Sequence, residues 1–166
     1  MIKDSGGERT VFGTGAVRDI KTAENGRCDL LPLDVIAEFV PGENGADDIL
    51  RYIARFQNSG IENYLLYALD TFLENAKQYN GWADMLLDVS IHYYEGSEKY
   101  AENNWKLGIP CKSYIDSSVR HLLKWYRGDN DERHDRAFVW NILGCIWTAI
   151  HMPELNEYKK QEAEAE

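Results

Sequence analysis

The sequence predicts an all-α protein, a helical bundle behind an extended N-terminal arm, and three observations carry that expectation. Apolar residues recur at intervals of three and four through most of the chain from residue 46 to residue 151, the period that gathers side chains on one face of an α-helix. Clusters of Gly, Pro and Asn cut that stretch into segments of helical length. No run shows the apolar–polar alternation of a half-buried strand. With 166 residues, 44% of them hydrophobic, the chain amounts to one soluble domain.

Residues 1–33 are rich in Gly and polar side chains and end in CDLLPL, so they read as an extended arm whose last apolar residues pin it to the body. Residues 34–157 read as a single all-helical domain. A short helix fits Asp34 to Phe39, and PGENG at 41–45 breaks it. Over 46–58, Ile49, Ile53 and Phe56 share a face, and Asp47 and Asp48 sit where the positive end of the helix dipole favours them. After the break at 58–60, Ile61, Leu65, Leu69, Phe72, Leu73 and Ala76 mark a second helix to about Tyr79, so that 46–79 forms an inserted helical hairpin.

Trp82, Leu86, Val89 and Tyr93 begin a third helix with one greasy side, while Asp84, Asp88, His92 and Glu95 make its other side acidic. NNWKLGIPCKS at 103–113 is a loop whose Trp105 and Ile109 fold back onto the core. Ser113 is a reasonable N-cap for a fourth helix bearing Ile115, Val119, Leu122 and Tyr126, which RGDND at 127–131 ends. A last helix runs from about Asp131 to His151 with Ala137, Trp140, Leu143 or Gly144, Trp147 and Ile150 inward. The tail, 158–166, is charged and lacks core-forming side chains, so disorder is expected there.

Eighteen basic against 28 acidic residues give a net charge of −10 and a pI near 4.9. That balance argues against a surface that coats nucleic acid or an anionic membrane. No apolar run approaches the roughly 20 residues a bilayer requires, and the first residues lack the order of a signal peptide, so a cytoplasmic location is expected. Cys28, Cys111 and Cys145 are odd in number and form no CxxC pair, which favours reduced structural thiols. There is no phosphate loop, no GxGxxG and no Gly-x-Ser-x-Gly elbow, and neither His92 nor His121 starts a His-Asp pair.

Several residues remain that carry chemistry. Glu95 and Glu98, three apart, present two carboxylates on one edge of a helix, and Glu132 and Asp135 repeat the spacing near the start of the last one. Four such groups brought together repel one another and call for a divalent ion or a cationic side chain; all-oxygen ligation suits Mg²⁺. The alternative is a set of solvated helix faces. His121 and His134 are either structural imidazoles or ligands. Arg120 either pairs with Asp116 one turn earlier or clamps a phosphate. Lys99, Lys106, Arg127, Arg133 and Arg136 add positive charge to the same third of the chain.

TGAVRD (14–19), GRCDLLPL (26–33), EGSEKYAENNWKLGIP (95–110), YIDSSVRHLLKWYRGDNDERHDRAFVWN (114–141) and the following ILGCIWTAIHMPEL together resemble the phage-associated dATP/dGTP diphosphohydrolase family, relatives of the MazG-like all-α nucleotide pyrophosphohydrolases. The resemblance implies a MazG-like bundle that hydrolyses nucleoside triphosphates, purine deoxynucleotides above all, to monophosphate and pyrophosphate. It implies Mg²⁺, with Mn²⁺ as the substitute, and a homo-oligomer, dimer or tetramer. It also makes Glu95, Glu98, Glu132 and Asp135 the metal ligands. In many relatives the position of Asp135 is not acidic while that of His134 is a His, so His134, with Asp131 and Glu132, competes for that role. Lys99, Arg120 and His121 would then serve catalysis with the two glutamates, and Trp105, Lys106, Arg136 and Asn141 the substrate. Trp105 either stacks on the base or packs in the core. The other reading is a protein of the same fold that binds and sequesters a nucleotide without hydrolysing it.

Overall fold

The computed structural model describes residues 8–20 and 23–159. Among them are six helices: α1 (Leu33–Ile36), α2 (Ala46–Ser59), α3 (Asn63–Asn75), α4 (Trp82–Tyr100), α5 (Cys111–Arg127) and α6 (His134–His151). The expected all-α bundle is therefore present, and α2 packs against α3. Residues 160–166, most of the tail, and 1–7 of the arm lie outside the described residues. Tyr158 packs edge-on against Phe56, with ring centroids 5.3 Å apart.

The arm departs from the expectation of no strands. Arg9–Val11 (β1) and Val17–Asp19 (β2) pair antiparallel, Thr10 opposite Arg18. Three residues per strand are too few to show alternation, and the pairing is fixed from outside. Asn104 clamps β2 at two points, its Oδ1 accepting from the Val17 amide at 2.8 Å and its Nδ2 donating to the Val17 carbonyl at 2.9 Å. Thr14 Oγ1 donates to the Gly108 carbonyl at 2.5 Å, and Ala16 is fully buried beneath the turn.

α6 is the central helix. Its sides are covered by α3, α4 and α5, so its buried residues run almost continuously from His134 to Ala149 rather than along one stripe. Ile150, expected inward, is exposed. Phe72 of α3 joins the layers, its ring 4.8 Å from that of Phe138 and 4.9 Å from that of Trp125. α5 and α6 form an antiparallel pair and approach closely: a Cβ at Gly144 would meet the Tyr114 ring at 2.5 Å.

Other boundaries shift for local reasons. α5 starts at Cys111 after Pro110, so Ser113 lies inside the helix rather than capping it. α3 stops at Asn75 because Ala76 leaves helical geometry. α4 rotates relative to expectation: Met85 and Val89 are buried, whereas Trp82 and Leu86 are exposed. Its acidic side turns inward instead, because Asp88 meets Arg133 at 2.7 Å and accepts from the Tyr79 hydroxyl at 3.0 Å. No helix among the described residues is long and apolar enough to cross a membrane.

The closeness of α5 and α6 is testable. Gly144→Ala forces a methyl into an occupied ring plane, an overpacking cost of about 1–3 kcal/mol. A thermal melt should show the midpoint lowered by several degrees; an unchanged midpoint would show that the two helices can separate freely there.

Candidate active site

A cleft of about 380 Å³ opens between β2, α4, α5 and the N-terminal half of α6. α5 contributes Ser117, Arg120, His121 and Lys124, whose spacing of three, one and three puts them on one helix face. His92, Gly96 and Tyr100 do the same for α4, and Trp140 and Asn141 come from α6. The turn between α5 and α6 closes one end. It reverses at Gly128, whose φ of +84° is the left-handed value that suits glycine, and it carries Asp131 and Glu132 back to the cleft.

At that end two imidazoles face each other. His121 Nδ1 and His134 Nδ1 are 3.0 Å apart, and Glu132 Oε1 lies 3.5 Å from each. His134 is almost wholly buried, and its Nε2 is 2.7 Å from Asp131 Oδ1. A carboxylate only accepts, so this nitrogen carries the proton and the His134 Nδ1 lone pair points at the cluster. Burial and the neighbouring His134 push the His121 imidazole well below its ordinary value. The three ligand atoms are close enough to share one ion, and Asp129, Asp131 and His134 make a second such group.

The cationic wall is built from Arg18 and Arg120. Arg120 donates to Asp116 at 2.5 Å and to the Asn25 carbonyl at 3.0 Å, while Asp116 also accepts from the Cys28 amide at 2.7 Å. The ion pair foreseen between Asp116 and Arg120 therefore exists, and the arginine lines the cleft as well. Arg18 differs. It donates to two neutral oxygens, Ser113 O at 3.1 Å and Asn141 Oδ1 at 2.6 Å, and its guanidinium lies over the Tyr114 and Trp140 rings at 5.3 and 5.6 Å. Burial lowers its pKa. A half-buried cation whose hydrogen-bond partners among the described residues are neutral favours a further anion beside it.

The remaining candidates are dispersed. Asp135 is held by Arg133 at 2.8 Å, by the Tyr79 hydroxyl at 2.9 Å and by Gln78 at 3.2 Å. Burial works against its charge, but the bonds from Arg133, Tyr79 and the Arg136 amide outweigh burial and hold the carboxyl well below its usual range. Arg136 is buried 3.3 Å from Asp88. Lys99 pairs with Asp19 at 2.5 Å. Glu95 acts electrostatically on His92, Glu98 is exposed, and neither lines the cleft. Of the four carboxylates of the two spaced pairs, Glu132 belongs to a group of ligand atoms close enough to share one ion among the described residues. Trp105, half-buried, meets Tyr93 and Trp147 edge-on at 5.6 and 5.1 Å with exposed Lys106 over its ring, and it lines a neighbouring pocket rather than the cleft. Asn141 spends both ends of its amide on Arg18 and the Ala137 carbonyl, so it positions the arginine.

Sequence reasoning missed Arg18, which stands in the quoted TGAVRD segment but has no nearby charge pattern to single it out. It also passed over His134-Asp135, the chain's one His-Asp dipeptide; the two side chains serve different networks.

His92 gives the cleft a stability signature. Burial pushes its imidazole from 6.5 down to about 4, with Glu95 opposing and Arg136 and Arg18 reinforcing the shift. Between those values the unfolded chain binds a proton that the folded chain does not, so stability rises with pH across the window and is lost as pH falls from about 6.5 to 4. The melting midpoint of metal-free protein should drop over that range, and His92→Gln should flatten part of the drop. An identical profile in the variant would assign the loss elsewhere.

A family model described as dATP/dGTP diphosphohydrolase, N-terminal, matches residues 76–158. That span takes in α4, α5 and α6, and with them every cleft residue except those of the arm. No curated protein and no solved structure matches the chain. A match over half of the sequence, across the helices that build the cleft, makes this chain a member of the dATP/dGTP diphosphohydrolase N-terminal domain family.

Proposed function

We propose that this chain hydrolyses nucleoside triphosphates, purine deoxynucleotides above all, to monophosphate and pyrophosphate, and that the cleft beneath β2 is where it does so. The observation that carries the reading is the cleft's two-sided chemistry. Half-buried Arg18, whose hydrogen-bond partners among the described residues are neutral oxygens, and Arg120 face the same space as a cluster of imidazoles and carboxylates. A triphosphate needs both: cations against its oxygens and a place where water is held for attack. The family description supports the reaction class.

The donor set at the closed end fits a divalent ion through His121, His134 and Glu132. Bound there, such an ion neutralises phosphate oxygens and makes water more acidic. The chain's own groups do the rest. Arg18 and Arg120 bind non-bridging oxygens and orient the phosphates. Glu132, through the carboxylate oxygen that does not face the two imidazoles, takes the proton of the attacking water. The water oxygen bonds to the α-phosphorus as the bond to the pyrophosphate oxygen breaks, and pyrophosphate departs with its charge facing the guanidiniums. Asn141 and Ser113 hold Arg18 so that little reorganisation accompanies the step. Tyr100 and Trp140 offer aromatic surface for the base. The reading further places the protein in the cytoplasm and assembles it as a homo-oligomer, with no nucleic acid as partner.

Incubation with each common dNTP and NTP plus Mg²⁺ or Mn²⁺, with products separated by ion exchange, tests this directly. Monophosphate and pyrophosphate should appear in equal amounts, fastest from dATP or dGTP. Arg18→Met should lower kcat/KM by roughly 10- to 150-fold, the worth of a charge-assisted contact of about 1.5–3 kcal/mol, and Glu132→Gln should lose turnover while keeping the fold. Unchanged nucleotide recovered in tight stoichiometric complex would replace hydrolysis by sequestration.

A further inference from the structure

We propose that the junction of α5 and α6 binds a nitrogen-preferring transition-metal ion, of the Zn²⁺ or Fe²⁺ class rather than Mg²⁺, through His121 Nδ1, His134 Nδ1 and Glu132 Oε1. The inference deepens the hydrolase reading and rests on it for what the ion does. Three independent features of the structure support it.

The first is the donor set. Mg²⁺ favours oxygen ligands, whereas imidazole suits Zn²⁺ and Fe²⁺, and two His with one carboxylate is a recurrent catalytic arrangement for those ions. Of the four carboxylates expected to make an all-oxygen site, only Glu132 belongs to the group; Asp135 is bound by Arg133 and Glu98 is exposed.

The second is spacing. Two ligand atoms about 2.05 Å from one ion stand roughly 2.9–3.55 Å apart for bond angles between about 90° and 120°. The two Nδ1 atoms are 3.0 Å apart, and Glu132 Oε1 is 3.5 Å from each. The third is the support behind the ligands. Asp131 accepts from His134 Nε2 at 2.7 Å, the carboxylate–histidine contact that fixes which nitrogen is free for a metal. Lys124 lies 3.7 Å from the other oxygen of Asp131. His121 and Glu132 line the cleft, so the group has open positions for water or phosphate.

Titration calorimetry of the metal-free chain with Zn²⁺, Co²⁺ and Mg²⁺, without nucleotide, decides the matter. Zn²⁺ and Co²⁺ should each bind at one equivalent at least a hundredfold more tightly than Mg²⁺, and Co²⁺ should give visible absorption bands that change in His121→Gln. That substitution, at a partly exposed position, should weaken Zn²⁺ and Co²⁺ about a hundredfold, and Asp131→Asn about 10- to 100-fold, with circular dichroism showing both variants folded. Equal affinity for Mg²⁺, binding untouched by His121→Gln, or no binding of any ion would overturn the proposal. Full turnover by His121→Gln with Mg²⁺ would overturn it while leaving the hydrolase reading standing. The predicted binding without turnover of any nucleotide would leave the metal site standing and remove the hydrolase.

Discussion

The cleft depends on how closely α5 and α6 run past each other. Glycine at 144 lets the Tyr114 ring lie against the α6 backbone, and that contact sets the register of the antiparallel pair. Cys111 meets Cys145 at one end of the seam and His121 meets His134 at the other. The intervals repeat: His121 lies seven residues after Tyr114, and Asn141 seven after His134, about two helical turns in each case. One packing register therefore brings the imidazoles together and points Asn141 at the notch that receives Arg18. A slip of one turn would separate both at once.

Charge is then distributed unevenly on purpose of position rather than composition. A chain of net charge −10 is a poor general attractant for a triphosphate, so any nucleotide site must be locally cationic. Arg120, Lys124 and Lys99 are each matched by Asp116, Asp131 and Asp19. Arg18 has neutral oxygens as its hydrogen-bond partners among the described residues. The hairpin that delivers it is held by Asn104 and Gly108 of the loop after α4, so the arm is part of the cleft wall although the matched family span begins only at residue 76.

The helices were legible because a buried helical face leaves a local trace, apolar residues three and four apart. α2 and α3 show this well. α4 shows its limit: its polar side is satisfied by Arg133 and Arg136, contacts no local pattern contains, so the side read as acidic and opposite the greasy face turned inward. The β1–β2 pair left no trace because Asn104, nearly ninety residues away, fixes it. Among site residues, His121, Glu132 and His134 could be nominated by type. Their union, and the diversion of Asp135 to Arg133, follow from the turn at 128–133 and had to be seen in three dimensions. Arg18 was invisible for the same reason: its partners Ser113 and Asn141 lie 95 and 123 residues further along the chain.

The most direct test of the account is a crystal structure of the full chain with a dATP analogue whose α,β-bridging oxygen is replaced by methylene, grown with a divalent ion. The account predicts the phosphates against Arg18 and Arg120, with the ion between them and His121, Glu132 and His134. A nucleotide seated instead along the exposed side of α4 beside Glu98, with the cleft beneath β2 empty, would contradict it.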